Sequence, residues 1–143
     1  MKLIKFEIVT PERMVLQEQV QQVVAPTKAG EITVLPGHIP LVSSLQSGVI
    51  EVKNEKGEYE VMSVSGGFLE VLKDKVVVLA DTAERAEELD EKRIEEARAR
   101  AEESKKDIRT FDRERFASIS AKMAKELARS KAAKRWRKLK NID

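Results

Sequence analysis

The 143-residue chain has no cysteine and only one histidine, one tryptophan and one tyrosine. Without cysteine it has no disulfide framework, no thiolate nucleophile and no zinc–thiolate site, a composition that fits a reducing compartment. The single imidazole, His38, is enclosed in Pro36-Gly37-His38-Ile39-Pro40, a rigid turn with no sequence-adjacent partner for a triad or a metal cluster. It reads as a structural or interface residue, and no metal site is expected. Gly66-Gly67 lacks the other glycines and the lysine of a phosphate-cradling loop, so it reads as a bulge or a close backbone approach between strands. No run nears the ~18 uninterrupted apolar residues of a spanning helix. The N-terminus alternates charged and apolar residues instead of building a signal-peptide core. The expectation is a soluble protein made in the cytoplasm, too short for separate cofactor and substrate domains.

What is present is unevenly placed. All 6 glycines and all 4 prolines lie between Pro11 and Gly67, leaving the remainder without a strong breaker of either kind. Residues 1–84 carry 8 basic and 12 acidic side chains, net −4, whereas residues 85–143 carry 19 basic and 13 acidic, net +6. Composition thus predicts two parts, 1–84 and 85–143, with different electrostatic tasks.

The front part reads as short Val- and Ile-rich runs separated by turn signals, the spacing of a sandwich or barrel. Ile4, Phe6 and Ile8 alternate with Lys5 and Glu7, and Pro11 ends the run. Residues 49–53 and 59–64 flank Asn54-Glu55-Lys56-Gly57, and residues 68–72 and 76–80 flank Lys73-Asp74-Lys75, so both pairs read as hairpins. With no helix to cover them, these strands predict two packed antiparallel sheets. From Asp81, with Glu84 three residues on, a capping-box pattern predicts the start of a helix. Ala86, Leu89, Ala97, Ala101 and Ile108 recur at roughly helical spacing, with Ile94 off that stripe. So small a face buries little area, and marginal, reversible docking is expected. A second helix is predicted from near Asp112, with Phe116, Ile119, Met123 and Leu127 on one face and the connecting loop within 105–111. Between Arg129 and Lys140 there are seven basic residues and no acidic one, an end that seeks a negative surface.

Arg93, Arg98 and Arg100 on the first helix, with Lys122, Lys125 and Arg129 on the second, are either a solvated charged surface or a cradle for phosphate. In the second case the guanidinium groups grip phosphate oxygens and Asp90 orients an arginine or meets a ribose hydroxyl. The acids of the first helix alternate with bases as on a solvated face, which argues against acid/base catalysis.

Glu31-Ile32-Thr33-Val34-Leu35-Pro36-Gly37-His38-Ile39-Pro40-Leu41 resembles the GELGILPGHxPL segment of ATP synthase epsilon subunits, and Ser65-Gly66-Gly67-Phe68-Leu69-Glu70-Val71 resembles their SGGFLEV segment. Ala80-Asp81-Thr82-Ala83-Glu84 and Leu89-Asp90-Glu91-Lys92-Arg93 are similar to the family's entry into its helices. The ordered matches span about Val9 to Arg100, and the PGH form resembles bacterial members. The resemblance implies an N-terminal antiparallel β-sandwich followed by a two-helix hairpin. It further implies a non-catalytic rotor subunit of a proton-translocating synthase, peripheral on the cytoplasmic face of the bacterial plasma membrane. By the same resemblance the sandwich contacts the gamma subunit and the c-ring, with Glu31 and His38 near those contacts, and the helices meet the alpha and beta subunits. No cofactor is required. ATP is implied as a weakly bound regulator, with Glu84, Asp90, Arg93, Arg100, Lys125 and Arg129 at the matching positions, although Ile94 replaces the motif's alanine and would crowd an adenine site. The expected inhibitory face is Arg129, Lys134, Arg135 and Arg137. Nucleic-acid binding by the basic tail is the competing reading, and the acidic front and the absence of aromatic stacking runs oppose it.

Overall fold

The computed structural model describes residues 2–89, 91–106 and 113–140. The first strand, β1 (Ile4–Val9), has Ile4, Phe6 and Ile8 at 2, 0 and 0% exposure, the inward set of its alternation. It pairs antiparallel with β2 (Met14–Thr27), a 14-residue strand long enough to serve both layers. After β1, β2 pairs with β3 (Gly30–Val34) and with β5 (Gly48–Asn54). The other strands are β4 (Leu41–Leu45), β6 (Tyr59–Val64), β7 (Gly67–Val71), β8 (Lys75–Ala80) and β9 (Ala83–Arg85).

Strand order runs β1-β8-β7-β4-β2-β5-β6-β9, and the extra β1–β2 pairing folds that path back on itself around one apolar core. Both expected hairpins are present, β5–β6 and β7–β8. One pairing, β1 with β8, is parallel. Gly67 is required where β7 meets β8: at φ 117° a side chain is disfavoured, and a Cβ there would come within 2.8 Å of the Ala80 Cα. The close approach expected at Gly66-Gly67 is therefore real.

The helix expected from Asp81 does not begin there. Ser65 N–H donates to the Thr82 carbonyl at 3.0 Å, and Ala83, Glu84 and Arg85 pair with Val64, Ser63 and Met62. A free β6 edge offers the backbone more partners than a cap would, so ladder pairing overrides the capping-box pattern. The boundary drawn after Glu84 consequently falls inside β9. A short 3₁₀ turn, Ala86–Glu88, leads to α1 (Glu91–Lys106) and then α2 (Arg113–Leu139).

The two helices pack on each other, and α2, rather than α1, lies along β5 and β6. The buried faces also differ from those expected. Among the described side chains of α1 the enclosed one is Ile94, at 1% exposure, while Ala97 and Ala101 are half-buried. Ile108 lies outside the described residues. On α2, Ile119 is buried but Leu127 is 39% exposed, and the closed stripe is Ala128, Ala132 and Ala133 at 3, 0 and 3%. Alanines let the helix backbone come close to the sheet, where larger residues would hold it away. Ala132 joins Val61 and Ala86 in a small second cluster, edged by Val49, Leu89, Trp136 and Leu139.

Candidate functional site

The candidate residues fall into three places. The first is the junction of β9 with the hairpin. Pairing with Ser63 fixes Glu84, and one turn of α2 sets Glu126 and Arg129 on the same side. Arg129 Nε donates to Glu84 Oε2 at 3.0 Å, and its Nη1 donates to Glu126 Oε1 and Oε2 at 3.0 and 3.1 Å. The Arg129 and Glu84 side chains are only 27 and 28% exposed, so the pair is partly shielded from water. Beside it a cleft of about 450 Å³ opens between the helices, floored by Ala97, Ala101 and Ile119 and rimmed by Arg100, Lys122, Lys125 and Glu126. Arg100, Lys125, Glu84 and Arg129 are thus brought to one region. Arg93 is exposed on the first turns of α1, and Asp90 lies outside the described residues. Ile94 is buried and the cleft wall is made by smaller alanines. Glu126 was not singled out in the sequence; its i,i+3 spacing to Arg129 was the available signal.

The second place is the outer face of β5, where the basic end of α2 is seated. Arg135 grips Glu51 with Nε at 2.9 Å and Nη2 at 3.3 Å, a two-pronged contact that raises the guanidinium pKa. Glu31 and Lys131 line the same cleft as Glu51 and Arg135. Lys134 lies 3.9 Å from Glu95 of α1, and Ser130 Oγ donates to the same carboxylate at 3.0 Å. Arg137 is half-buried near the end of α2. Arg129, Lys134 and Arg135, expected in the inhibitory face, therefore rest on carboxylates of this chain.

The third place is the sandwich surface around His38, away from the helices, and Glu31, which borders the cleft under α2, lies outside it. Glu31 is the second residue of β3, while His38 sits in the loop beyond the other end of that strand, so the fold does not bring the two together. His38 N–H donates to the Leu35 carbonyl at 3.0 Å, and its Nδ1 is 2.6 Å from the Ile39 carbonyl. A carbonyl only accepts, so Nδ1 carries a proton. Leu35 and Ile39 beside it are 51 and 75% exposed. On the outward face of β4, β7 and β8, Val42, Phe68 and Leu79 are 68, 57 and 49% exposed, with Phe68 in register with Leu79. Alternation along Phe68-Leu69-Glu70-Val71 was the sequence signal for this face: Leu69 and Val71 are inside, so Phe68 must be outside.

Residues 3–86 match the family model described as "ATP synthase, Delta/Epsilon chain, beta-sandwich domain". A chain of Dehalococcoides mccartyi named "ATP synthase epsilon chain" is 46% identical over 138 residues, covering 96% of this chain and 97% of its relative. The chain belongs to the ATP synthase epsilon family. Another epsilon chain, from Pelotomaculum thermopropionicum, is 52% identical over 99 residues, 69% of this chain and 73% of that one. Among solved structures, a chain in the c-ring-containing assembly of the Euglena gracilis mitochondrial ATP synthase aligns with a TM-score of 0.77 at 25% identity, covering 88% of this chain and 78% of that chain. A chain in the central stalk and c-ring of the Tetrahymena thermophila mitochondrial enzyme aligns at 0.58 and 15% identity, a likeness of fold, over 92% and 97%. As an epsilon chain it is a non-catalytic stalk subunit of ATP synthase. Among the described residues no helix is long and apolar enough to cross a membrane.

Proposed function

We propose that this epsilon chain couples the gamma subunit to the c-ring of a proton-translocating synthase and restrains ATP hydrolysis through α2. On this reading it sits peripherally on the cytoplasmic face of the bacterial membrane. The apolar face of Val42, Phe68 and Leu79 suits gamma, because a contiguous exposed patch of large residues is the kind of surface a lasting partner covers. Glu31, near the start of β3, and His38, in the turn beyond its end, supply polar contacts suited to the c-ring loops.

The observation that carries the inhibitory role is the seating of Arg129 on Glu84 and Arg135 on Glu51. A docked α2 satisfies these cations with carboxylates of its own chain. Carboxylates on the alpha and beta subunits can replace them at little net cost, since partly exposed ion pairs contribute only ~0.2–1 kcal/mol each. With 27 residues at ~1.5 Å each, a released α2 reaches roughly 40 Å. ATP is the proposed occupant of the cleft between α1 and α2, its phosphates meeting Arg100, Lys122 and Lys125. Binding there would favour the docked form by its differential affinity.

Adding the chain to a reconstituted catalytic complex should lower ATP hydrolysis. Replacing Arg129, Lys134, Arg135 and Arg137 together with Ala should restore hydrolysis while the chain stays bound, and unchanged hydrolysis at low and moderate salt would remove the inhibitory reading.

A further inference from the structure

Two acids lie on the inside of the sandwich, where the functional reading has no use for them. In β2, Leu16, Glu18 and Val20 share one side of the strand, and Leu16 and Val20 are buried. In β6, Glu60, Met62 and Val64 share one side, and Met62 and Val64 are buried. Register sets Glu18 opposite Phe6 of β1 and Glu60 opposite Val52 of β5, both 0% exposed. The two carboxyl groups adjoin at the open end of the apolar core.

Among the described residues no hydrogen-bond partner reaches Glu18 Oε1 or Glu60 Oε2, although both atoms are closed off from solvent. Two ionised carboxylates have only acceptors to offer one another, whereas one proton between them completes a hydrogen bond. The surrounding charges do not replace that proton. From β9, Arg85 faces the pair, but its Nη2 donates to the Val15 carbonyl at 3.4 Å and its Nη1 lies 3.7 Å from Glu87. Tyr59 of β6, Glu58 just before it, Glu87 after β9 and Lys140 just after α2 line an adjoining cavity of about 120 Å³, which Trp136 borders. The charged groups of β1, Lys5 and Glu7, alternate with Phe6 and point to the other side, where Lys75 and Gln17 hold Glu7 at 3.0 Å each.

We infer that Glu18 and Glu60 hold one proton between them in the folded chain at neutral pH, and that its loss loosens the β2–β6 end of the sandwich together with the end of α2 beside it. Desolvation first, then the neighbouring Glu60, pushes the Glu18 carboxyl up to about 8 against the pull of Arg85. The folded chain keeps a proton that the unfolded chain releases near the ordinary carboxylate value, so stability falls as pH rises from that range toward 8 and levels off beyond it.

The test is thermal unfolding of the full chain between about pH 6 and 9, for the wild type, Glu18→Gln and Glu60→Gln, with Trp136 emission recorded alongside. The wild-type Tm should fall by at least about 4 °C across this range. Either Gln variant should flatten the fall, because its amide donates to the remaining carboxylate. Trp136 emission should shift toward the red over the same window in the wild type alone. Parallel Tm curves for wild type and variants would overturn the inference. Should neither variant fold, carbon-13 NMR of the wild-type Glu carboxyl groups decides: one late-titrating pair supports the shared proton, and complete ionisation of both near the ordinary value contradicts it.

Discussion

Inside the sandwich, Phe6, Ile8, Val23, Ile50 and Leu69 are wholly closed to solvent, whereas the hairpin meets the sandwich through Ala132, Ala86 and Val61 with charged pairs around them. The first set removes large apolar side chains from water, each contributing ~1.5–3 kcal/mol. The second is centred on small side chains, with Trp136 and Leu139 only half-buried at its edge. The contrast teaches a division of labour within one small chain: the sandwich carries most of the buried apolar area, and the helices are held by a smaller contact. On the proposed inhibitory reading, a long, basic α2 poor in large buried residues suits a helix with two destinations, which cannot be committed to either by a large apolar face.

The comparison can be broken at its strong side first. Phe6→Ala should cost ~3–5 kcal/mol and unfold strands and helices together, seen as one transition in denaturant by circular dichroism. Loss of the helices alone would mean that the sandwich core is not what holds the chain. At the weak side, Ala132→Leu forces extra volume into a closed contact and should cost ~1–3 kcal/mol of docking. Hydrogen exchange should then show α2 freed while β1 to β8 keep their protection, and a global loss of protection would refute separate stabilities. The smallest effect concerns the cleft between the helices. Calorimetry should detect weak ATP binding that Lys125→Ala diminishes several-fold and Glu126→Gln strengthens a few-fold, the latter by removing a carboxylate from beside the phosphates. Absence of heat from all three chains would leave the hairpin without a nucleotide.

The two regions were also unequally legible in the sequence. In the sandwich, the period-two alternation of Ile4, Phe6 and Ile8 and the turns at Asn54–Gly57 and Lys73–Lys75 predicted strands where strands are found, because local pattern and tertiary burial agree there. At Asp81 they conflict. A good local cap lost to an open β6 edge that no local pattern reveals. The hairpin misled for a related reason: Leu127 and Met123 fit a helical stripe, but α2 turns a different side inward, where Ala128, Ala132 and Ala133 are closed to solvent. Pairings such as Arg135 with Glu51, 84 residues apart in sequence, depend wholly on that docking and had no local signal. Among the site residues, the resemblance put Glu84 and Arg129 at matching positions, while their direct contact became visible only once β9 and α2 were placed.

The central claim is that α2 docked on the sandwich and α2 acting on the catalytic subunits exclude one another. Because the chain has no cysteine, Val61→Cys with Ala132→Cys introduces a single pair of thiols at positions that pack together. ATP hydrolysis by the complex reconstituted with this variant should be uninhibited when the pair is oxidised and inhibited again after reduction. Equal inhibition by the oxidised and reduced forms, with the crosslink verified on a gel, would contradict the account.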